Sequence, residues 1–356
     1  MFTRQQTRAL KAGSLAIGGG APVSVQTMAN VNPHDADALL AQSLRCAELG
    51  CDLIRFTVPD VEAAKTLGIV RRKMALPVVA DIHFDYRCAL AAIEAGTDAL
   101  RLNPGNIGAR DRVQAVARAA KAAKTPIRIG VNLGSLEKDL SEAVYGGRTS
   151  VAAALCESAM RHVKLLEDED FFDIAISVKA SNVADTLAAY RLLAEKTDCP
   201  LHLGVTEAGT FIPGTVRSSV ALGILLSEGI GDTIRVSLTA EPEKEVRVGA
   251  EILRSLALRK PGPSVTSCPT CGRTRANVFK VAAEVEDALE KLKLDKYPHV
   301  AVMGCVVNGP GEAKGADVAL CGGDGEFMLF VKGKAVGKVP ESEAAGKVVE
   351  YVVSAQ

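Results

Sequence analysis

Eight short apolar runs between residues 23 and 238 restrict the fold more than any other property of the sequence. Each run is rich in Val, Ile and Leu, as strands are, and most are followed by a longer segment with the spacing of an amphipathic helix. The predicted strands are VSVQTM (23–28), LIRFTV (53–58), PVVADIHF (77–84), ALRLNP (99–104), IRIGVN (127–132), FDIAISVKA (172–180), LHLGVT (201–206) and TIRVSL (233–238).

Eight strands that alternate with helices over about 250 residues are typical of an α/β protein of the TIM (β/α)8 barrel type. An open, doubly wound sheet is the main alternative. It fits less well, because no predicted strand is followed by the G-x-G-x-x-G sequence with which such sheets bind dinucleotides. The sequence therefore predicts a barrel.

A second domain follows the barrel. Residues 241–259 have helical spacing and form the predicted last barrel helix, so that the barrel domain comprises residues 1–259. KPGPS (260–264) ends this helix and is the predicted linker. The remaining segment, 265–356, is predicted to be a small α/β domain. Its predicted elements are a helix at 278–294, strands at 299–307, 317–323 and 326–333, and a closing helix at 341–353.

Charge and hydropathy limit the partners and the compartment. The chain has 42 Lys and Arg against 42 Asp and Glu, so net charge does not favour nucleic acid as a partner. No apolar run reaches the ~20 residues of a membrane span, and the first residues lack the apolar stretch of a signal peptide. We therefore expect a cytoplasmic protein that does not bind a membrane and whose nine cysteines are reduced.

Polar side chains lie at or near the carboxyl ends of the predicted strands, where TIM barrels build their active sites. Five of them are cations, and burying so many in a barrel is unfavourable unless anions neutralise them. The predicted strands contain too few carboxylates to do so. We therefore expect a strongly anionic ligand, most simply a diphosphate. The five cations are Arg55, Arg101, Arg128, Lys179 and Arg235.

These polar residues also have structural interpretations. A single barrel arginine can be the ion-pair partner of a nearby carboxylate. Asp81 can cap the next helix, and His83 or His202 can be a hydrogen-bonded core histidine. The set as a whole, rather than any one member, favours a ligand site.

Three of the nine cysteines differ from the rest in their surroundings. Cys268 and Cys271 form a C-x-x-C pair in SCPTCGRT, and Cys305 lies in the segment GCVVNGPGE. This pattern suits zinc at least as well as an iron–sulfur cluster, whereas a thioredoxin-like pair lacks the βαβ context it needs. A fourth soft ligand is missing, and the last segment offers Glu312 instead. The cysteines expected to be structural are Cys46, Cys51, Cys88, Cys156, Cys199 and Cys321.

Several segments resemble one protein family. They are VADIHFDYR (79–87), LRLNPGNIG (100–108), IRIGVNLGSLEKDL (127–140), SVKAS (177–181), LHLGVTEAG (201–209), LLSEGIGDTIRVSL (225–238), SCPTCGR and GCVVNGPGEA. Over nearly its whole length the chain is similar to the compact, two-domain form of the bacterial 4-hydroxy-3-methylbut-2-enyl diphosphate synthase family. One departure is ANVNPHD (29–35), where the family usually has threonines at positions 29 and 31.

The resemblance implies an oxidoreductase with a TIM barrel followed by a [4Fe–4S] domain. The implied reaction is the two-electron reductive ring opening of 2-C-methyl-D-erythritol 2,4-cyclodiphosphate, with loss of water, to (E)-4-hydroxy-3-methylbut-2-enyl diphosphate. This is the penultimate step of the methylerythritol phosphate (non-mevalonate) isoprenoid pathway. The implied electron donor is flavodoxin or ferredoxin. The implied assembly is a homodimer in which the cluster domain of one subunit caps the barrel of the other.

The resemblance also implies roles for individual residues. Cys268, Cys271, Cys305 and Glu312 match the cluster ligands, and Glu207 matches the proposed catalytic acid or base. The residues that match the diphosphate-binding set are Arg55, Arg101, Asn103, Arg128, Asn132, Lys179, Arg235 and Ser237. Further matches to the same pocket are Asp81, His83, His202 and Thr206.

Two other functions fit parts of the sequence. One is a barrel aldolase or isomerase acting on a phosphorylated sugar, with Lys179 as the Schiff-base lysine and a structural zinc in the C-terminal domain. The other is a binding or regulatory module that holds a partner through its cysteine domain, which leaves the strand-end arginines without a role. A brown, iron-containing preparation would exclude both.

Overall fold

The structure, a computed structural model, describes residues 3–108, 110–262, 264–292, 294 and 296–354. Contacts between residues divide the chain into two units, Met1–Arg259 and Lys260–Gln356. Ser264, the last residue of the predicted linker, begins a strand. Among the described residues, no helix is both long enough and apolar enough to cross a membrane.

A hairpin opens the first unit. Its strands, β1 (Leu10–Ala12) and β2 (Leu15–Ile17), pair antiparallel. The side chains of Leu10 and Ile17 pack against Leu53 and Ala99, which are the first residues of two barrel strands. The hairpin therefore covers the amino ends of the strands, and the carboxyl ends remain for a ligand.

The remaining strands of this unit form a TIM barrel, which confirms the predicted fold class. They are β3 (Ser24–Met28), β4 (Leu53–Thr57), β5 (Val78–Asp81), β6 (Ala99–Leu102), β7 (Ile127–Asn132), β8 (Ile174–Lys179), β9 (His202–Leu203) and β10 (Thr233–Ile234). All pair parallel, in the order β8-β7-β6-β5-β4-β3-β10-β9. A bridge between Ile176 and Leu201 closes the ring.

The last two barrel strands are shorter than predicted. Beyond Leu203 the backbone at Gly204 passes so close to its neighbour that a Cβ there would lie 2.7 Å from the carbonyl oxygen of Arg235. The regular ladder stops at this point, and the polar residues that follow lie in loops. These loops carry several of the predicted site residues.

Helices surround the barrel. They are α1 (Ala36–Glu48), α2 (Val61–Arg72), α3 (Tyr86–Glu94), α4 (Pro104–Ile107), α5 (Arg110–Ala123), α6 (Lys138–Tyr145), α7 (Val151–Glu167), α8 (Val183–Lys196), α9 (Phe211–Ser227) and α10 (Pro242–Ser255). Short polar side chains cap their first turns: Asp35 caps α1, Asp60 caps α2 and Asp85 caps α3. The cap of α3 is thus Asp85, and Asp81 remains free for another role.

The second unit is built on a five-stranded sheet. In spatial order the strands are β11 (Ser264–Ser267), β12 (His299–Met303), β13 (Val318–Gly322), β14 (Glu326–Val331) and β15 (Lys334–Pro340). The first three pair parallel, and the last two add antiparallel. The helices are α11 (Val278–Lys291), α12 (Gly309–Gly315) and α13 (Ala344–Ser354).

The sheet of the second unit has two apolar faces. Val300 and Val302 of β12 pack with α11 and α13, whereas Ala301 and Met303 pack with Ala313 of α12. This alternation is the two-residue period of a strand covered on both sides. Packing on both faces holds β12 between the helices. The chain leaves the end of this strand toward Cys305.

Candidate active site

Five cationic side chains meet inside the barrel. Arg55 comes from β4, Arg101 from β6, Arg128 from β7, Lys179 from the end of β8 and Arg235 from just after β10. The charges of Arg101, Arg128 and Arg235 act on Lys179, as does that of Arg55. Arg55, Arg128 and Lys179 are all buried. The structure thus brings together the five cations that the sequence assigned to an anionic ligand.

Two buried carboxylates face these cations. Asp81 at the end of β5 has Oδ2 3.4 Å from Arg55 Nε and Oδ1 3.2 Å from Arg101 Nη1. Burial alone would raise the pKa of Asp81, but the two arginines hold it below its ordinary value. Glu245 on α10 has Oε2 3.8 Å from Arg235 Nη2. Two carboxylates do not neutralise five cations.

Among the five cations, Arg128 and Lys179 are the two whose charged forms are most destabilised by their surroundings. Arg128 donates hydrogen bonds to neutral groups, from Nη1 to Ser177 Oγ at 2.8 Å and from Nη2 to Gln26 Oε1 at 3.4 Å. Neither Arg128 nor Lys179 has an ion pair with a carboxylate among the described residues. Burial, and then the positive charges nearby, lowers the pKa of both well below the ordinary values. A bound anion would relieve this cost.

His202 lies deeper in the barrel, in the same buried group. Its Nδ1 is 3.0 Å from Thr233 Oγ1, and Nε2 is buried without a hydrogen-bond partner among the described residues. Burial, together with the charges of Arg128 and Lys179, lowers the pKa of His202 well below its ordinary value. The imidazole is therefore neutral, and with Arg128 it lines a cavity of about 30 Å³ that reaches the hairpin residue Leu10.

The loops after β6 and β7 carry the two predicted asparagines. Asn103 is buried, accepts from Gly105 N at 3.0 Å and places Nδ2 3.4 Å from the carbonyl oxygen of Ser135. The amide of Asn132 donates to Ser135 Oγ at 3.1 Å. Ser135 therefore ties the two loops together. His83, about half exposed, places Nε2 3.7 Å from Asp81 Oδ2.

Three other predicted site residues lie in the loops after the two shortest strands. Thr206 donates its amide to the carbonyl oxygen of Ala180 at 3.1 Å, beside Lys179. Glu207 is exposed and has φ of 50°, a left-handed conformation that is unusual for a residue with a side chain. Among the described residues, the side chains of Thr206, Glu207 and Ser237 make no hydrogen bond or ion pair with the cations.

The segment that departs from the family pattern, 29–35, is hydrogen-bonded to α1. Two hydrogen bonds join Asn30 to Gln42. The backbone amide of Asn30 donates to Gln42 Oε1 at 3.0 Å, and Gln42 Nε2 donates to Asn30 Oδ1 at 2.7 Å. Positions 29 and 31 are alanine and valine, so no hydroxyl group is present there.

One buried site residue was missed by sequence reasoning. Glu245 faces Arg235, whereas an acidic residue in a helix is ordinarily solvent-exposed. The available signal was helical spacing, because Glu245 lies three residues after Pro242 and four before Gly249, both buried.

Cys268 and Cys305 lie at the same end of the sheet of the second unit, and Cys271 follows Cys268 in the same loop. β11 and β12 pair in parallel with Ser267 opposite Val302, so Cys268 directly follows one strand and Cys305 closely follows the next. The amide of Arg275 donates to the carbonyl oxygen of Gly304 at 3.1 Å, which joins the two loops.

The chemistry of this end of the sheet suits thiolate ligands. Hydrogen bonds from the backbone and side chain of Arg273 lower the pKa of Cys271, and the amide of Thr270 donates to Cys268 Sγ at 3.4 Å. Burial instead raises the pKa of the six cysteines that were expected to be structural, which are Cys46, Cys51, Cys88, Cys156, Cys199 and Cys321.

The donors at this end of the sheet are thiols. No three Cys, His, Asp or Glu side chains in the described part of the chain are grouped closely enough for one metal ion. Cys268, Cys271 and Cys305 are free cysteines, and thiolate is the ligand that iron–sulfur clusters take.

Glu312 is the carboxylate closest in sequence to these cysteines. It lies in α12, whose first turn begins where the amide of Gly309 donates to the carbonyl oxygen of Cys305 at 3.2 Å. Its side chain is exposed and makes no hydrogen bond or ion pair with the described residues. The carboxylate is thus available as a ligand.

Comparison with known proteins identifies the family. The GcpE TIM-barrel domain matches residues 7–250, and the GcpE protein C-terminal domain matches residues 264–354. A relative from Geobacter sulfurreducens is 53% identical over 98% of both chains. A relative from Maridesulfovibrio salexigens is 54% identical over 96% of this chain and 94% of its own. Both are named 4-hydroxy-3-methylbut-2-en-1-yl diphosphate synthase (flavodoxin).

More distant solved structures share the barrel. Yersinia pestis dihydropteroate synthase superposes with a TM-score of 0.51 at 13% identity, covering 70% of this chain and 97% of its own. Type I 3-dehydroquinate dehydratase from Clostridium difficile also superposes with a TM-score of 0.51 at 13% identity, covering 70% of this chain and 98% of its own. At this identity the likeness shows the fold alone. The two matched domains and the similar full-length relatives establish that the chain belongs to the GcpE family of 4-hydroxy-3-methylbut-2-en-1-yl diphosphate synthases.

Proposed function

We propose that the chain catalyses the reductive ring opening and dehydration of 2-C-methyl-D-erythritol 2,4-cyclodiphosphate to (E)-4-hydroxy-3-methylbut-2-enyl diphosphate. The observation that carries the proposal is the excess of cations over carboxylates inside the barrel. A cyclic diphosphate supplies the missing negative charge, and its oxygens suit the paired N–H groups of guanidinium. The name of the relatives, which states the product, supports the same reaction.

The proposed site residues have different roles in the reaction. The five cations bind the diphosphate, and Asp81 fixes the orientation of Arg55 and Arg101 through its two oxygens. Glu207, exposed in the loop after β9, is the proposed proton donor or acceptor for the oxygen that leaves as water. The other proposed contacts to the substrate are His83, Asn103, Asn132, His202, Thr206 and Ser237.

The second unit would hold the redox cofactor. Cys268, Cys271 and Cys305 are the proposed thiolate ligands of a [4Fe–4S] cluster, and Glu312 is the proposed fourth ligand. When bound, such a cluster supplies electrons one at a time, as a two-electron reduction without flavin or nicotinamide requires. Reduced flavodoxin is the proposed donor, as the names of the relatives suggest.

A homodimer is part of the proposal, with the cluster domain of one subunit over the barrel of the other. An apolar stripe on α9 supports an interface on the first unit. Ile212, Val216, Val220 and Ile224 recur every four residues and are all exposed. A groove of about 270 Å³ lies beside this stripe, between Ser219 and Gly223 of α9 and Val248 and Ile252 of α10. A ridge beside a groove on one surface can be self-complementary about a two-fold axis.

The test is anaerobic purification followed by an assay. The proposal expects a brown protein with about four irons and four sulfides per chain. With reduced flavodoxin and the cyclic diphosphate, it should release 4-hydroxy-3-methylbut-2-enyl diphosphate, identified by mass spectrometry. A colourless protein that binds zinc and does not turn over, even after reconstitution with iron and sulfide, would reject the proposal.

One observation favours a second candidate, the Schiff-base aldolase or isomerase. The lowered pKa of Lys179 is the property that such a lysine needs. Borohydride treatment in the presence of phosphorylated keto sugars separates the two functions. Covalent labelling of Lys179 would support the aldolase, and unlabelled protein with diphosphate turnover would support the reductase.

A further inference from the structure

Glu245 has no assigned role, yet its carboxylate contacts three residues near the proposed diphosphate pocket. It is 5% exposed and lies one turn into α10. Its Oε2 accepts a hydrogen bond from Thr27 Oγ1 at 2.8 Å, and its Oε1 accepts from the amide of Leu238 at 2.8 Å. Oε2 also lies 3.8 Å from Arg235 Nη2.

These contacts connect three separate parts of the barrel. Thr27 belongs to β3, Glu245 to α10, and Leu238 to the loop that follows β10. Arg235 and Ser237, two proposed contacts to the diphosphate, lie on the short stretch that leads to Leu238. The amide that Glu245 holds is therefore the next one along the chain from Ser237.

The same loop continues toward Glu207. The backbone amide of Thr239 donates to the carbonyl oxygen of Gly209 at 2.9 Å, and Thr210 and Thr239 form an isolated parallel β-bridge. The loop after β10 is thus fixed on one side by Glu245 and joined on the other to the loop that carries Glu207.

We propose that Glu245 is a positioning residue for phosphate binding: it holds the loop after β10 so that Arg235 and Ser237 point at the diphosphate. The inference rests on the proposed function, because it takes those two residues as substrate contacts. It assigns Glu245 no contact with the substrate itself. The support is the geometry of two 2.8 Å hydrogen bonds and one ion pair on a single buried side chain.

Charge and position make opposite predictions for this residue. Removing a negative charge next to Arg235 raises the local positive potential, so charge alone predicts tighter binding of an anion after Glu245→Gln. Positioning predicts weaker binding, because Gln places an NH₂ group where Oε2 faces Arg235, so the contact that orients Arg235 is lost even where the Thr27 hydroxyl turns to accept a hydrogen bond. Glu245→Asp keeps the charge but is one methylene shorter, so positioning predicts weaker binding here too.

The experiment uses the full-length, cluster-loaded enzyme under anaerobic conditions. We would measure the Kd for the cyclic diphosphate by calorimetry and KM and kcat with reduced flavodoxin. Glu245→Gln and Glu245→Asp should each raise Kd and KM about 30-fold, with kcat changed less than about threefold. The matched control is Glu243→Gln, the same substitution on the same helix, where the carboxylate pairs with exposed Arg45. It should stay within about twofold of wild type.

The outcomes separate the inference from the function on which it rests. If the wild-type enzyme neither binds nor converts the cyclic diphosphate, the proposed function fails. If the wild type is active and Glu245→Gln binds as tightly or more tightly, the positioning role is wrong. If the Glu245 variants do not fold, Thr27→Val carries the test, since it removes one of the two hydrogen bonds. It should raise Kd about threefold or more, and an unchanged Kd would overturn the inference.

Discussion

The side chain of Arg101 passes directly over Gly130 on the neighbouring strand. A Cβ added at Gly130 would lie 2.4 Å from Arg101 Nε, closer than packed atoms approach. Arg101 Nη2 donates to the carbonyl oxygen of Gly130 at 3.1 Å while Nη1 reaches Asp81. The missing side chain at Gly130 therefore creates the space in which this guanidinium lies.

The first prediction follows from that contact. Gly130→Ala should displace Arg101 and raise KM for the cyclic diphosphate at least tenfold, about 1.4 kcal/mol of lost binding. Stability should change little, because the displaced group is a flexible side chain. The control is Gly134→Ala in the adjacent loop, where an added Cβ meets nothing within 4 Å. Equal KM values for both variants would show that Arg101 does not hold the substrate.

A second prediction concerns protons. The pKa of Lys179 is lowered in the empty site, and a bound diphosphate should raise it toward its ordinary value near 10.5. Between these two values Lys179 is neutral when free and charged when bound, so binding should take up a proton. Calorimetry at several pH values between about 7 and about 10, in buffers of different ionisation enthalpy, should show an uptake that is largest between the two pKa values and reaches at most about one proton. Lys179→Met should abolish it. Binding by the wild type without proton uptake at any of these pH values would contradict a lowered pKa of Lys179 in the empty site.

A third prediction concerns assembly. Ile212→Glu and Val216→Glu place charges on the apolar stripe of α9 and should convert the dimer to monomers in sedimentation experiments. Ile69→Glu on α2 is the control, because Ile69 is also exposed but lies outside the stripe. Were all three variants to sediment like the wild type, the interface would lie elsewhere.

The barrel could be predicted from sequence because its strands are unambiguous. Runs such as Ile127–Asn132 are buried along nearly their whole length, and Ile127, Ile129 and Val131 give them an apolar side chain at every second position. In the second unit, β11 and β15 were missed because SVTS and KAVGKVP are largely exposed and have few large apolar residues. Such edge strands are defined by their neighbours rather than by composition.

The site was predicted in part for a similar reason. Strand alternation and order were enough to group Arg101 with Arg128, which lie opposite each other on β6 and β7. The partner of Arg235 was not foreseen, because Glu245 reaches it from a helix that follows the loop and no strand rule applies. The placement of Cys268 and Cys305 at the same end of the sheet likewise depends on the pairing of β11 with β12, and β11 was not predicted.

A fourth prediction tests the proposed acid. Glu207→Gln preserves the shape of an exposed side chain held at φ of 50° but removes its titratable proton. If Glu207 transfers the proton, kcat should fall by about 100-fold or more, while Kd for the cyclic diphosphate stays within about twofold. Single-turnover kinetics and calorimetry measure the two quantities separately. If Glu207→Gln turns over at close to the wild-type rate, Glu207 does not transfer the proton.

The last prediction concerns Glu312 as a cluster ligand. A carboxylate is a harder ligand than thiolate and binds iron in a sulfide-rich cluster less tightly, so a substrate oxygen can displace it. Glu312→Ala should leave three thiolates and a labile fourth iron, which electron paramagnetic resonance would detect as a [3Fe–4S] signal after mild oxidation, with little activity. Glu312→Cys should keep four irons yet turn over slowly, because a thiolate closes the open position. Lys314→Ala, also exposed on α12, is the matched control and should keep both the spectrum and turnover. If Glu312→Ala keeps a stable four-iron spectrum in air together with normal turnover, the fourth ligand is another group.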